Sequence, residues 1–137
     1  MDLLTVLQEL SKGYTCVAYN GETLYTSTQR GVAPLLNWLD EGLCLEDFRV
    51  ADKVVGKGAA FLYLLLGVKQ IYAAVISVPA LTLLRQNGVA VTFTTLVPAI
   101  RNRTDTGFCP IETAVLDCTD AEEALIKIKN RLKELAQ

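Results

Sequence analysis

The run KVVGKGAAFLYLLLGVKQIYAAVISVPALTLLRQNGVAVTFTTLV, residues 53–97, decides the fold. It reads as one unit written twice. A helix from Lys53 stops at Gly67 and leads into a strand over 68–76. A second helix from Ser77 stops at Gly88 and leads into a strand over 89–97. Both stops are Gly-Val, which suits the left-handed backbone position just past a helix end. Helices and strands alternating at this spacing imply right-handed crossovers and parallel pairing. The continuous apolar character of the strands predicts a sheet covered on both faces.

Upstream, residues 14–19 and 22–26 are β-rich runs separated by Asn20-Gly21, a strong hairpin signal because both residues tolerate positive φ. An antiparallel pair therefore opens the sheet. Leu3, Leu4, Leu7 and Leu10 recur at helical spacing before Gly13, and residues 33–39 form a second short amphipathic helix. Residues 41–49 read as a polar connection. Downstream come a polar loop over 101–107, a short helix from about Pro110, and a last helix. Thr119 and Glu122 read as the capping box of that last helix, with Leu125, Ile128, Leu132 and Leu135 as its apolar stripe. No linker or low-complexity segment divides the chain, so residues 1–137 are expected to be one domain.

Composition narrows the function classes. At 137 residues the chain is long enough to bury about two-thirds of its unfolded surface. Thirteen Lys and Arg against fifteen Asp and Glu leave a net charge of −2, which argues against a nucleic-acid polymer or a membrane surface as partner. Asp2 and Glu9 and the lack of a small-residue cleavage site argue against a signal peptide. The most apolar tract, 58–68, falls short of the ~20 residues of a membrane span. A soluble, cytoplasmic protein is expected. Cys16, Cys44, Cys109 and Cys118 form no CxxC pair, so reduced thiols are the default.

Chemistry is expected beyond the carboxyl ends of the parallel strands, where helix N-termini gather. Lys53 and Lys57 would lie on one face of the first turns of a helix, the wrong end for cations because the macrodipole is already positive there. With Asp52 as N-cap offsetting one charge, the surplus marks a place for a phosphate or carboxylate. Lys57 could equally pair with Glu112 or Asp52. Ser77 is a good N-cap that could also touch a ligand, and Arg101, Asn102 and Arg103 could hold an anion or form surface ion pairs. The glycine spacing around Lys57 is not that of a phosphate-binding P-loop.

Cys109-Pro110-Ile111-Glu112 has two readings. Glu112 could reach back to the Cys109 N–H and close a cap, or Cys109 could be a nucleophile or group carrier at an electropositive helix start with Glu112 as acid/base. The chain contains no histidine, so a serine hydrolase triad is excluded and zinc is poorly served.

Four separated motifs, ADKVVGKGAAFLYLLLGV (51–68), AAVISVPALTLL (73–84), LVPAIRNR (96–103) and TGFCPIE (106–112), fall in an order that closely resembles an uncharacterised domain-of-unknown-function family with a zinc-less variant of the cytidine deaminase-like fold. The likeness runs from about Gly13 to Leu132. It implies a three-layer α/β/α sandwich whose mixed sheet has an N-terminal antiparallel hairpin followed by parallel strands. Deaminases hold zinc through a His or Cys at one helix start and two cysteines at the next, with a Glu moving protons. The corresponding starts here read Asp52-Lys53-Val54-Val55 and Ser77-Val78-Pro79-Ala80. Neither the metal ligands nor the proton-moving Glu are present, so the expectation is a domain without zinc that is not a working deaminase, and no cofactor is expected.

The leading expectation is a domain binding a small anionic metabolite or nucleotide through Asp52, Lys53, Lys57, Ser77, Arg101, Asn102 and Arg103. The alternatives are an enzyme using Cys109 and Glu112, and a non-catalytic interaction or homo-oligomerisation module using the stripe of the last helix.

Overall fold

In the computed structural model, which describes residues 12–29, 31–101, 107 and 109–136, the Asn20-Gly21 turn is closed by the Asn20 side chain. Its Oδ1 accepts the N–H groups of Glu22 (2.9 Å) and Thr23 (2.7 Å). The turn joins β1 (Cys16–Tyr19) to β2 (Leu24–Ser27), which pair antiparallel. The remaining strands are β3 (Arg49–Val55), β4 (Gln70–Ser77) and β5 (Ala90–Val97), and the sheet runs β2-β1-β3-β4-β5. β1 meets β3 antiparallel, whereas β3-β4 and β4-β5 are parallel. The result is a mixed five-stranded sheet in an α/β fold.

The helices are α1 (Ala33–Asp40), α2 (Lys57–Leu66), α3 (Val78–Gln86), α4 (Pro110–Ala114) and α5 (Ala121–Ala136). Two successive right-handed crossovers stepping the same way across a sheet place α2 and α3 on the same face. Their side chains accordingly share one buried cluster with α1, α5 and the sheet, including Leu35, Phe61, Leu62, Ile71, Leu84 and Ile128. Among the described residues the other face carries a small cluster, Val17 and Ala51 packed by Tyr14, Tyr19 and Tyr72. The helix expected over residues 3–10 lies outside the described residues.

The Gly-Val stops close as their sequence predicts. Gly67 and Gly88 are left-handed (φ 82° and 78°), and the N–H groups of Val68 and Val89 reach back to the carbonyls of Tyr63 (3.1 Å) and Leu84 (3.0 Å).

Two expectations need correction. Residues 53–55 are not helical: β3 runs through Val55, and α2 begins at Lys57 after Gly56 in extended conformation. Asp52 is therefore no N-cap, and Lys53 and Lys57 share no helical face. The β-branched Val50, Val54 and Val55 suit a strand, and β3 gains ladders on both sides. The cap of α5 is also one residue later than expected. Asp120 Oδ2 accepts the Glu123 N–H at 3.2 Å, so Asp120 and Glu123 occupy the places assigned to Thr119 and Glu122.

The stripe of α5 divides. Ile128 is fully buried and Leu125 and Leu132 pack at the core's margin, while Leu135 is 55% exposed. Among the described residues no helix is long and apolar enough to cross a membrane. Ile128→Ala should cost about 2–5 kcal/mol, because it leaves a cavity between α5 and α2, whereas Leu135→Ala should stay within about 0.5 kcal/mol. Urea denaturation of the two variants checks the difference.

Candidate functional site at the start of helix α2

The first N–H groups of a helix have no partner within it, and α2 starts in a half-buried place where water serves them poorly. Gly56, the residue before it, has no side chain to cap them. The acceptor comes from the far end of the chain. Glu112, on α4, takes the Lys57 N–H on Oε2 (2.6 Å) and the Gly58 N–H on Oε1 (3.1 Å). A negative group at a helix N-terminus also gains from the macrodipole.

The two glycines around Lys57 are the space this contact needs. A Cβ on Gly56 would lie 2.1 Å from Glu112 Oε1, and one on Gly58 would lie 2.8 Å from Ile111 Cγ2. Lys57 itself turns its ammonium to the Leu116 carbonyl (2.7 Å), 5.6 Å from the centre of the Phe61 ring. The lysine thus closes the end of the α4 turn whose carboxylate closes the start of α2. Burial pushes the Glu112 carboxyl above its usual range, opposed by the Gly58 and Lys57 N–H groups and the Lys57 charge.

The expected cap of α4 is not made by Glu112. The Cys109 N–H bonds the Ile100 carbonyl (3.0 Å), which ties α4 to the segment after β5, and the Cys109 carbonyl receives the Thr113 N–H (3.1 Å). Cys109 is half-buried and free, as are buried Cys16 and Cys118 and exposed Cys44. Ser77 is fully buried and caps α3, its Oγ accepting the Ala80 N–H at 3.3 Å. Lys53 is exposed in β3 and Arg101 is exposed beyond β5. Asn102 and Arg103 lie outside the described residues. Of the expected site, then, Lys57 and Glu112 come together, with Ser77 at the start of the next helix along the same sheet edge.

Asp52 lies elsewhere, beneath α2. Val50, Asp52 and Val55 face the helices, so the strand's alternation slips by one after Asp52, whose Oδ1 accepts the Val54 N–H at 3.4 Å. Its Oδ2 accepts the Tyr63 hydroxyl at 2.6 Å, and that hydroxyl lies 3.2 Å from Cys16 Sγ, on the residue opposite Asp52 in β1. Sequence reasoning missed Cys16 and Tyr63 as polar partners. The only hint was a tyrosine in an otherwise apolar helix.

Among the described residues no three His, Cys, Asp or Glu side chains are placed to share a metal ion. Two surface depressions lie away from the rim: one of about 360 Å³ borders Arg49, Lys69 and Gln70 at the opposite end of the strands, and one of about 410 Å³ lies between α4 and α5. Neither is lined by Lys57, Ser77, Cys109 or Glu112.

Burial pushes Asp52 from 3.8 up to about 7, although the Tyr63, Val54 and Lys53 hydrogen bonds oppose it. Across that window the folded chain holds a proton that the unfolded chain has lost. The group's stabilising contribution is therefore full below about pH 4 and lost as pH rises through about 7. Asp52→Asn should gain on the wild type by on the order of 2 kcal/mol between pH 5 and pH 8. Urea titrations at both pH values check this; a pH-independent gap contradicts it.

A comparison with curated proteins gives no match. Among solved structures, the chain is similar to the crystal structure, at 2.70 Å resolution, of a DUF1893 family protein (TM1506) from Thermotoga maritima. The TM-score is 0.83 at 29% identity, over 98% of this chain and 92% of that one. The family model described as "Domain of unknown function (DUF1893)" matches residues 5–132. With nearly its whole length matched, and with a mixed α/β sheet closed over α2, this chain belongs to the DUF1893 family.

Proposed function

We propose that this chain is a cytoplasmic, zinc-free domain of the cytidine deaminase-like, three-layer α/β/α kind. It binds a small anionic molecule, a carboxylate, phosphate or nucleotide, where α2 begins, and it is not a working deaminase. The sheet order and the parallel β3-β4-β5 run support the mixed-sheet α/β part of this reading.

The observation that carries the binding part is the Glu112 carboxylate on the Lys57 and Gly58 N–H groups. Two backbone donors and a helix dipole converge on a carboxylate, and the chain's own side chain fills the seat. Burial raises the Glu112 carboxyl while the Gly58 and Lys57 N–H groups and the Lys57 charge oppose that shift, so the same donors and charge are what an external anion would engage in its place. Lys57, released from the Leu116 carbonyl, is the nearest cation; Lys53, Arg101, Asn102 and Arg103 supply further charge and hydrogen bonds. Asp52, engaged by Tyr63, takes no part.

Thermal unfolding in the presence of formate, acetate, phosphate and nucleoside monophosphates tests the reading. Phosphates or nucleotides should raise the wild-type Tm, Glu112→Ala should respond more strongly because its seat is vacant, and Lys57→Met should respond less. Absence of any anion response in both the wild type and Glu112→Ala contradicts the proposal, as does a response unchanged in Lys57→Met.

A further inference from the structure

Among the described residues, the edge of the sheet at β5 lacks the protections that exposed edges normally carry. β5 is eight residues long and ends the sheet order, and Thr92, Thr94, Thr95 and Leu96 are exposed along it. Edge strands are usually kept short, charged, interrupted by proline or covered. The opposite edge, β2, is four residues long, but β5 has neither a charge nor a proline.

The neutrality extends well beyond the strand. Charged residues make up 20% of the chain, yet between Lys69 and Arg101 only Arg85 is charged. That interval includes α3, which packs against β5, and its Val78 is 46% exposed while Leu96 of β5 is 44% exposed. An exposed surface depleted of charge and dotted with apolar side chains has the composition of an interface core.

We propose that β5 pairs antiparallel with β5 of a second copy of this chain, joining two five-stranded sheets into one continuous sheet. A second copy fits for three reasons. The strand is uncharged and rich in valine and threonine, so its own sequence is a compatible neighbour with no like charges opposed. A two-fold axis through the middle of β5 consumes both long edges at once and leaves only the short β2 strands, so assembly closes at the dimer. The same axis keeps both helical layers on one face and sets α3 beside its copy, adding Val78 to an area that a strand pair alone would leave below the ~1,200 Å² of a standard interface.

With the axis at Phe93, next to the strand's midpoint, Thr92 faces the second copy's Thr94 on the side of the sheet away from the helices. Thr92→Lys combined with Thr94→Lys then opposes ammonium groups across the axis. Sedimentation velocity from low to high micromolar concentration should give a dimer for the wild type and half that mass for the double variant, with far-UV circular dichroism unchanged. Amide exchange of residues 90–97 in the wild type should slow as concentration rises, which tests the same contact if the variant folds poorly. A wild type monomeric throughout, a dimer that survives both lysines, or exchange in β5 indifferent to concentration overturns the proposal.

Discussion

The architecture depends on one long-range contact, the carboxylate of Glu112 set against the first two N–H groups of α2. Helix α2 is the hub: it packs against α1, α3, α4 and α5, and residues 58–63 are buried. A helix so enclosed gains heavily from apolar burial, about 1.5–3 kcal/mol for each large side chain, but leaves its starting N–H groups in need of an acceptor. Glu112 meets that need and in doing so fixes α4, which leads into α5 and its buried Ile128. Lys57 returns the bond from the other end through the Leu116 carbonyl.

Beneath the same helix lies a second polar group. Asp52, Tyr63 and Cys16 form a buried chain of contacts that an apolar packing would have avoided. Burial and then the Asp52 charge raise Tyr63 and Cys16 far above their usual titration ranges, so both stay protonated while Asp52 alone changes state near neutrality. The two carboxylates have opposite settings. Glu112 is held by backbone donors at a positive helix end, whereas Asp52 has Tyr63 and the weaker Val54 bond inside the core.

How much of this was legible follows from the range of each interaction. The hairpin was readable because Asn20 closes its turn with its own side chain, and the ends of α2 and α3 because a left-handed glycine acts within one turn. The start of α2 was not. Residues 50–66 are apolar at both helical and strand periods, and Asp52 before Lys53 imitates an N-cap. What settles β3 is hydrogen bonding to β1 and β4, whose paired residues lie 30 to 36 positions upstream and 21 positions downstream, as in Cys16↔Asp52 and Asp52↔Ala73. The role of Glu112 was hidden more deeply, since it acts on a helix start 54 and 55 residues away. Gly56 and Gly58 recorded the close approach without naming what approaches. At the helix start where the sequence led us to expect an anion, the chain sets its own carboxylate, Glu112, on the backbone N–H groups of Lys57 and Gly58.

The most direct test is a double-mutant cycle between Gly56 and Glu112, read by urea denaturation. A Cβ at Gly56 would meet Glu112 Oε1 at 2.1 Å, so Gly56→Ala should destabilise the wild type by at least about 2 kcal/mol through loss of the contact. In a Glu112→Ala background the methyl enters vacated space, and the same substitution should cost little. If Gly56→Ala costs the same in both backgrounds, Glu112 does not close the start of α2 and the account fails.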